Sequence, residues 1–339
     1  MIALNDLQRL HAPQIAELRD AVGRVLDSGR FVLGSECSRF EGEFAAWCGT
    51  RHAVGVANGT DALEIALRAA GVRPNDTVIT VANAGGYATT AILACKATPR
   101  YVDVDSATMN LDVRHLANAL LPDVRAVVLT HLYGRLGPAA DVARLCRAAG
   151  VALIEDCAQA HGARDGACGA GAFGDAGCFS FYPTKNLGAL GDGGAIVTDD
   201  DALDARVRRL RQYGWEAKYH AVEDGGRNSR LDELQAAVLS RKLPRVAAGN
   251  ARRRAIAQRY ATEIDNAALA AHLAREGVQT DVHYPVPDHR QPFLTARFAA
   301  TTLPVTEALA DEILTLPCHP AMTDEEVSHV VAACARFAA

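Results

Sequence analysis

Lys185 lies in the stretch GCFSFYPTKNLGALGDGG, residues 177 to 194, where its type and surroundings suit covalent chemistry. An apolar run, Cys178 to Phe181, leads into the turn formers Pro183 and Thr184. The lysine then opens a glycine-rich stretch with no further charge before Asp192. An amine held in a partly desolvated pocket gives up its proton more readily, and a neutral amine can condense with an aldehyde to a Schiff base. A solvated loop lysine would look the same in this window alone, so the other residues have to decide.

Three further stretches, and one more residue of the lysine's own stretch, bear on that decision. The run Val151 to Ile154 ends in Glu155 and Asp156, followed by CAQAHGA. A carboxylate at that point can pair with a protonated pyridine nitrogen and keep the ring an electron sink, the role open to Asp156. An acidic residue after a strand also commonly caps a helix. Gln159, one turn later, is placed to meet a ring oxygen. Asn58-Gly59-Thr60-Asp61 closes another strand directly before a helix, where free backbone N–H groups and the positive dipole end favour phosphate, and Gly59 lets it approach closely. A simple cap by Thr60 or Asp61 is the alternative. Tyr87 follows two glycines in NAGGYATT and is suited to stack on a planar ring, with the glycines making room for that ring, or else to fill the core. Ser180, five residues before the lysine, offers a hydroxyl to phosphate. Together these are the parts of a pyridoxal phosphate site.

The elements that must hold these residues follow a regular alternation. Strand-like runs occur at Ala53 to Ala57, Thr77 to Val81, Arg100 to Val104, Ala126 to Thr130, Val151 to Glu155, Cys178 to Phe181 and Ala195 to Thr198. Helical patterns at Asp61 to Ala70, Ala88 to Ala94, Ala139 to Ala149 and Asp201 to Tyr213 intervene or follow. The pattern predicts an α/β domain with a largely parallel sheet covered on both faces, and ligands in such sheets gather at the carboxyl ends of the strands. An amphipathic helix is expected over Ala12 to Leu26, ended by Gly29. A second is expected over Ser38 to Trp47, with Ser38 and Glu41 as a capping box. After Arg230, LDELQAAVLSRKL is helical up to Pro244, and another helix runs through Tyr260. The remainder, with a strand-like TDVHYPV, suffices for a small second domain, so the expected division is 1–245 and 246–339.

Composition removes several classes of function. A formal charge of −5 with dispersed Lys and Arg offers no basic stripe for nucleic acid. The opening MIALNDLQRLHAPQ has no leader-like apolar core, and no run reaches a membrane span, so a cytoplasmic protein is expected. The nine cysteines never form CxxC and read as reduced, buried hydrophobes; no HExxH or other metal spacing occurs. A dinucleotide enzyme is disfavoured because no GxGxxG follows the first strand.

Taken in order, GRFVLGSECSRFEGEFA, VANGTDALEIAL, EDCAQAHGA, GDAGCFSFYPTKNLGALGDGGAI, RQYGW, NSRLDELQAAVL, VQTDVHYP and LTLPCHP resemble the DegT/DnrJ/EryC1/StrS family of pyridoxal-phosphate aminotransferases, and they span nearly the whole chain. The resemblance implies a fold-type-I aminotransferase domain followed by a small C-terminal domain. It implies Lys185 as Schiff-base lysine and proton shuttle, Asp156 as pyridine-nitrogen partner and Gln159 as contact to the ring hydroxyl. Gly59, Thr60 and Ser180 would hold the phosphate, with Tyr87 stacked on the ring. Asn228 matches a position that reaches the phosphate of a neighbouring subunit, so a homodimer with shared sites is implied. Tyr213, His283 and Tyr284 match positions near the sugar. The implied reaction moves an amino group from glutamate to a keto group of a nucleotide-linked sugar. A sugar dehydratase is the runner-up within the family, disfavoured because those relatives carry histidine in place of Lys185. A free cyclitol ketone as acceptor, or a non-catalytic cofactor-binding scaffold, are the other readings. One departure stands out: RYATEIDNAALAAHLAREGVQTDVHYP runs straight through where the family usually has several tens of additional residues, so the small domain is expected to be shortened.

Overall fold

The structure is a computed structural model that describes residues 1–263 and 270–338 of the chain. Seven strands form its main sheet: β1 (His52–Val56), β2 (Thr77–Thr80), β3 (Thr98–Tyr101), β4 (Val124–Thr130), β5 (Ala152–Asp156), β6 (Ala176–Ser180) and β7 (Gly194–Thr198). Their spatial order is β1-β7-β6-β5-β4-β2-β3. All adjacent pairs are parallel except those made by β7, which runs antiparallel to both β1 and β6.

The period-two alternation of strand side chains builds the two faces. Val54, Val56, Ile154, Cys178 and Ile196 pack on one side beneath the helices Gly59–Ala69, Tyr87–Ala94 and Asp201–Leu210. Their neighbours Ala53, Phe179 and Val197 point the other way, against the helices Ser35–Cys48 and Glu233–Lys242. Further along that second side, Ile79, Val127, Leu129 and Leu153 meet the helices Val113–Ala119 and Ala139–Ala149. Both faces are thus dry, which is why these strands are almost uniformly apolar.

Residues after 245 divide between two cores. Ile256, Leu273, Val278, Met322, Val327, Val330, Ala333 and Cys334 form a cluster of their own, with Ile2 packed against it. Residues between 284 and 309 return to the large sheet instead. Leu303 joins Ala82 and Tyr101, the Asp288 carboxylate accepts the Thr89 hydroxyl at 2.5 Å, and the Asp103 carboxylate takes the amides of Val305 and Thr306 at 3.0 and 2.9 Å. Among the described residues no helix is long and apolar enough to cross a membrane.

Three local expectations differ from what forms. The N-terminal helical region is split into Leu7–His11, a 3-10 turn at Ala12–Gln14 containing Pro13, and Ile15–Ser28, which ends at Gly29 in the left-handed region as its composition requires. TDVHYPV contributes only an isolated bridge between Asp281 and Thr315. Ser38 does not cap the second helix, which begins at Ser35. The orphan amides of its first turn are taken by a residue almost two hundred positions away: the Glu233 carboxylate accepts from Gly34, Glu36 and Cys37 at 2.8, 2.9 and 2.9 Å. Glu41, freed from the local cap, instead accepts from the Gly55 amide at 2.8 Å and from Arg211 at 2.5 Å, fixing the helix to β1. A remote carboxylate outcompetes the local serine because it satisfies three donors at once and carries full charge against the helix dipole.

This cap predicts a stability effect away from the site residues. Replacing Glu233 by Ala strands three amides and should lower unfolding stability by about 3 kcal/mol in urea titrations. A loss below about 1 kcal/mol would show that water substitutes freely for the carboxylate.

Candidate active site

The carboxyl ends of β1, β4, β5 and β6 open into one cavity of about 930 Å³, whose lining includes Gly59, Thr60, Tyr87, Asp156, Gln159, Ser180, Lys185, His283 and Tyr284. The adjacent carboxylates of β5 are separated by strand alternation. Glu155 faces away from the cavity and is fully used by the fold. It bonds His131 Nε2 at 2.8 Å and accepts the amides of Gly171, Phe173 and Gly174 at 3.0, 2.8 and 2.8 Å. The Gly137 amide donates to His131 Nδ1, so Nε2 carries the proton given to Glu155. Cys157 completes a group of potential metal ligands with these two, but the imidazole and carboxylate are already committed to one another and to backbone.

Asp156 is only 4 % exposed, lines the cavity and accepts one protein hydrogen bond, from the Ala158 amide at 3.1 Å. Burial raises its pKa, against the pull of that amide and of the charges on Lys185 and His131. Lys185 shows the mirror-image shift: burial lowers its pKa, and the Asp156 charge acts the other way. The lysine loop is tightly wound, with the Lys185 amide on the Tyr182 carbonyl and Gly188 so close to Pro183 that a Cβ would lie 2.3 Å from its carbonyl oxygen.

At the mouth of the helix Gly59–Ala69 the cap is Asn58, whose side chain accepts from the Asp61 amide at 2.8 Å, in place of the expected Thr60 or Asp61. The amides of Gly59 and Thr60 have no intrahelical acceptor and adjoin the cavity. A Cβ on Gly59 would sit 2.6 Å from that of Ser180, so only glycine lets β6 and this helix start come together. Ser180 Oγ accepts from the Tyr182 amide at 3.3 Å, which leaves its own proton to donate.

Gln159 is oriented by protein on both sides: its oxygen accepts from the Tyr133 amide and its nitrogen donates to the Tyr284 hydroxyl, each at 3.0 Å, which leaves one amide N–H. Tyr87 is half exposed and meets Tyr284 edge to face at 6.2 Å. The glycines before it serve a purpose different from the expected one. Gly85 has φ +78° and a Cβ there would lie 2.8 Å from the Tyr284 ring, so it makes room for a protein aromatic, while Gly86 takes a left-handed turn into the helix. His283 is positioned by Thr315 at 2.9 Å and by its carbonyl, which accepts the Tyr133 hydroxyl at 2.6 Å.

Tyr213, expected near the sugar, and Asn228, expected at the phosphate of a neighbouring subunit, both lie outside this cavity. Tyr213 is exposed, stacked on Trp215 at 4.8 Å and beneath Arg230, and Asn228 is exposed beside it. Their segment is tied to the helix Gly59–Ala69 by Arg227, which pairs with Asp61 at 3.0 Å and with Glu64. Conversely, Asn58, Tyr133, His161, Asn250 and Arg253 line the cavity without having been singled out. The polar character of AQAHGA and the arginine run NARRRAIAQRY were the available signals.

The sequence profile of the DegT/DnrJ/EryC1/StrS aminotransferase family matches residues 14–268 and 262–335. A curated relative from Acidithiobacillus ferrooxidans, UDP-N-acetyl-3-dehydro-alpha-D-glucosamine 3-aminotransferase, is 37 % identical over 97 % of this chain and 96 % of its own. The crystal structure of S. venezuelae DesV in complex with a ketimine intermediate superposes with a TM-score of 0.93 at 36 % identity, covering 99 % of this chain and 98 % of that one. Bacillus subtilis NtdA with bound PMP gives 0.90 at 27 % identity, covering 99 % and 84 %. The mostly parallel sheet, with its cavity at the strand ends, is therefore the fold of these aminotransferases, and the chain belongs to the DegT/DnrJ/EryC1/StrS aminotransferase family.

Proposed function

We propose that the protein uses pyridoxal 5'-phosphate to move an amino group from glutamate to the keto group of a nucleotide-linked sugar. The observation that carries this reading is the pairing, in one cavity, of a desolvated lysine with a buried carboxylate that has no ion-pair partner among the described residues, opposite a helix start that opens on glycine. These residues fit the cofactor part for part. The amides of Gly59 and Thr60 with the Ser180 hydroxyl suit the phosphate. Asp156, which burial makes reluctant to ionise alone, gains a cationic partner in a protonated ring nitrogen. The remaining N–H of Gln159 suits the ring oxygen, and Tyr87 offers its ring as a stacking surface.

When bound, pyridoxal phosphate supplies the aldehyde and an electron-withdrawing ring. The chain's own contribution is then proton management. Lys185, with a depressed pKa, can release a proton and take one back at the carbon next to the reacting nitrogen. Asp156 stays ionised beside the ring cation, and Glu155 with His131 holds the end of β5 rigid beneath it.

The UDP-linked substrate in the name of the A. ferrooxidans relative supports a nucleotide-linked acceptor. His283 and Tyr284, on the cavity wall, are suited to meet the sugar. Asn228 and Tyr213, exposed outside their own chain's cavity, fit contribution to a second copy's site in a homodimer. The division of the family match at residues 262–268 supports a shortened C-terminal part. Free thiols throughout the described cysteines suit the cytoplasm.

Two substitutions test the assignment. Lys185→Ala should abolish amino transfer from glutamate and the visible absorption of the bound cofactor; full activity in that variant would end the proposal. Asp156→Asn should retain cofactor yet lower kcat by roughly 100-fold or more, since an amide cannot stabilise the ring cation. An unchanged kcat would reassign the ring-nitrogen partner.

A further inference from the structure

The wall of the cavity next to the lysine loop is built by one face of the helix Val246–Glu263: Asn250, Arg253, Arg254 and Ala257, at spacings of three, four and seven, all line it. That face is sewn to the reacting end of the cavity by Asn250. Its side-chain nitrogen donates to the His161 carbonyl at 2.7 Å, and its oxygen accepts from Asn186, the residue after Lys185, at 2.8 Å.

Two arginines share this face, and Arg253 is the desolvated one: Arg254 is exposed, while Arg252, off the face, pairs with Asp324 at 2.8 Å. Arg253 is half-buried, desolvation lowers its pKa, and its guanidinium has no hydrogen-bond acceptor or ion-pair partner among the described residues. Asp156 and Asp192, the cavity's own carboxylates, do not bond it. Beside it His161 is wholly buried on the cavity wall, edge-on to Phe179 at 5.4 Å. Burial first, then the charge of Lys185, hold its pKa down to about 3 against a hydrogen bond to the Ser180 backbone, with the Arg253 charge adding to the lowering, so it is a neutral imidazole that leaves the cation uncompensated. A desolvated cation without a counter-charge on this wall forms an incomplete site that an anion completes.

We propose that Arg253 is the receptor for the carboxylate of the amino-acid donor, an assignment that rests on the transamination reading. The alternative anion is the nucleotide phosphate of the acceptor, and connectivity decides between them. The donor's α-carboxylate is joined to the very carbon that bears the reacting nitrogen, so its receptor must adjoin Lys185, as this wall does. The phosphates of a nucleotide sugar are joined to the sugar away from its keto carbon, with further ring atoms between them and the reacting nitrogen. A planar guanidinium binds a carboxylate through two parallel hydrogen bonds, which also fixes the donor's orientation.

The test uses the holoenzyme, its Arg253→Met and Arg253→Lys variants, and three probes: L-glutamate in the single half-reaction followed by cofactor absorbance, glutarate as a non-reacting dicarboxylate in calorimetry, and UDP. In Arg253→Met, the glutamate concentration for half-maximal rate should rise roughly 10- to 100-fold. Glutarate affinity should fall in parallel, UDP affinity should stay unchanged, and Arg253→Lys should restore part of the loss. The melting temperature should not fall, because an unpaired cation is being removed. Unaltered glutamate and glutarate affinities would overturn the assignment. So would weakened UDP binding with an intact glutamate half-reaction, or a uniform loss accompanied by a lowered melting temperature. A wild-type enzyme that glutamate does not convert at all would instead sink the transamination reading, which the glutarate titration distinguishes.

Discussion

Asp156 accepts one hydrogen bond from the protein, and its neighbour Glu155 takes part in four. That contrast is the constraint on which the rest of the site depends. Two carboxylates in sequence at the end of a strand must face opposite sides of the sheet. On one side, His131 and the turn Gly171 to Gly174 close around Glu155 and make the strand end immobile. On the other, Asp156 is left buried on the cavity wall with one hydrogen bond from the protein, and burial drives its pKa upward. A charge held in that condition is stabilised strongly by a cation brought to it, so the fold stores at Asp156 a demand that a protonated ring can meet.

The same logic sets where side chains are forbidden. Gly59 must lack a Cβ because Ser180 stands 2.6 Å from where it would be, and Gly188 because the Pro183 carbonyl lies at 2.3 Å. Gly85 yields its space to the ring of Tyr284. These close approaches draw three separate segments onto one cavity, so a methyl group at any of them would displace a strand end or a loop carrying a site residue. Tightness here is a matter of positioning: it locates the Gly59 amides, the Lys185 loop and the Tyr284 hydroxyl with respect to one another.

Much of this was legible in the chain. The alternation of apolar runs with helical patterns gave the sheet, and the breaks at the ends of those runs pointed to Gly59, Asp156 and, past Pro183, Lys185, with Ser180 inside the run that leads to the lysine. What escaped was non-local. Ser38 and Glu41 have the spacing of a capping box, yet Glu233 takes the cap from across the sequence, and no local window contains that competition. The glycines before Tyr87 were legible as space, but the occupant of that space, Tyr284, arrives from almost two hundred residues downstream. Arg253 sits in a run of three arginines that no local window separates. The pairing of Arg252 with Asp324 and the turning of Asn250 toward Asn186 show which face of the helix meets the cavity, and burial distinguishes Arg253 from the exposed Arg254.

The lysine loop itself is held less by its own turn than by the two helices that follow the sheet. Gln235 accepts the Leu190 amide at 2.8 Å, and the Lys242 ammonium reaches the Gly188 carbonyl and His11 Nε2. Asn250 takes Asn186. Burial pushes Lys242 down to about 8, and with no carboxylate beside it, its hydrogen bonds to a carbonyl and an imidazole are what offset the desolvation. The loop is therefore anchored at three points by residues two turns apart on Glu233–Lys242 and by the first half of Val246–Glu263. The latter helix also carries Arg253, so the Asn250 side chain ties the residue after Lys185 to the helix that bears this guanidinium. A donor molecule reaching from Lys185 to Arg253 would bridge two segments that Asn250 already joins.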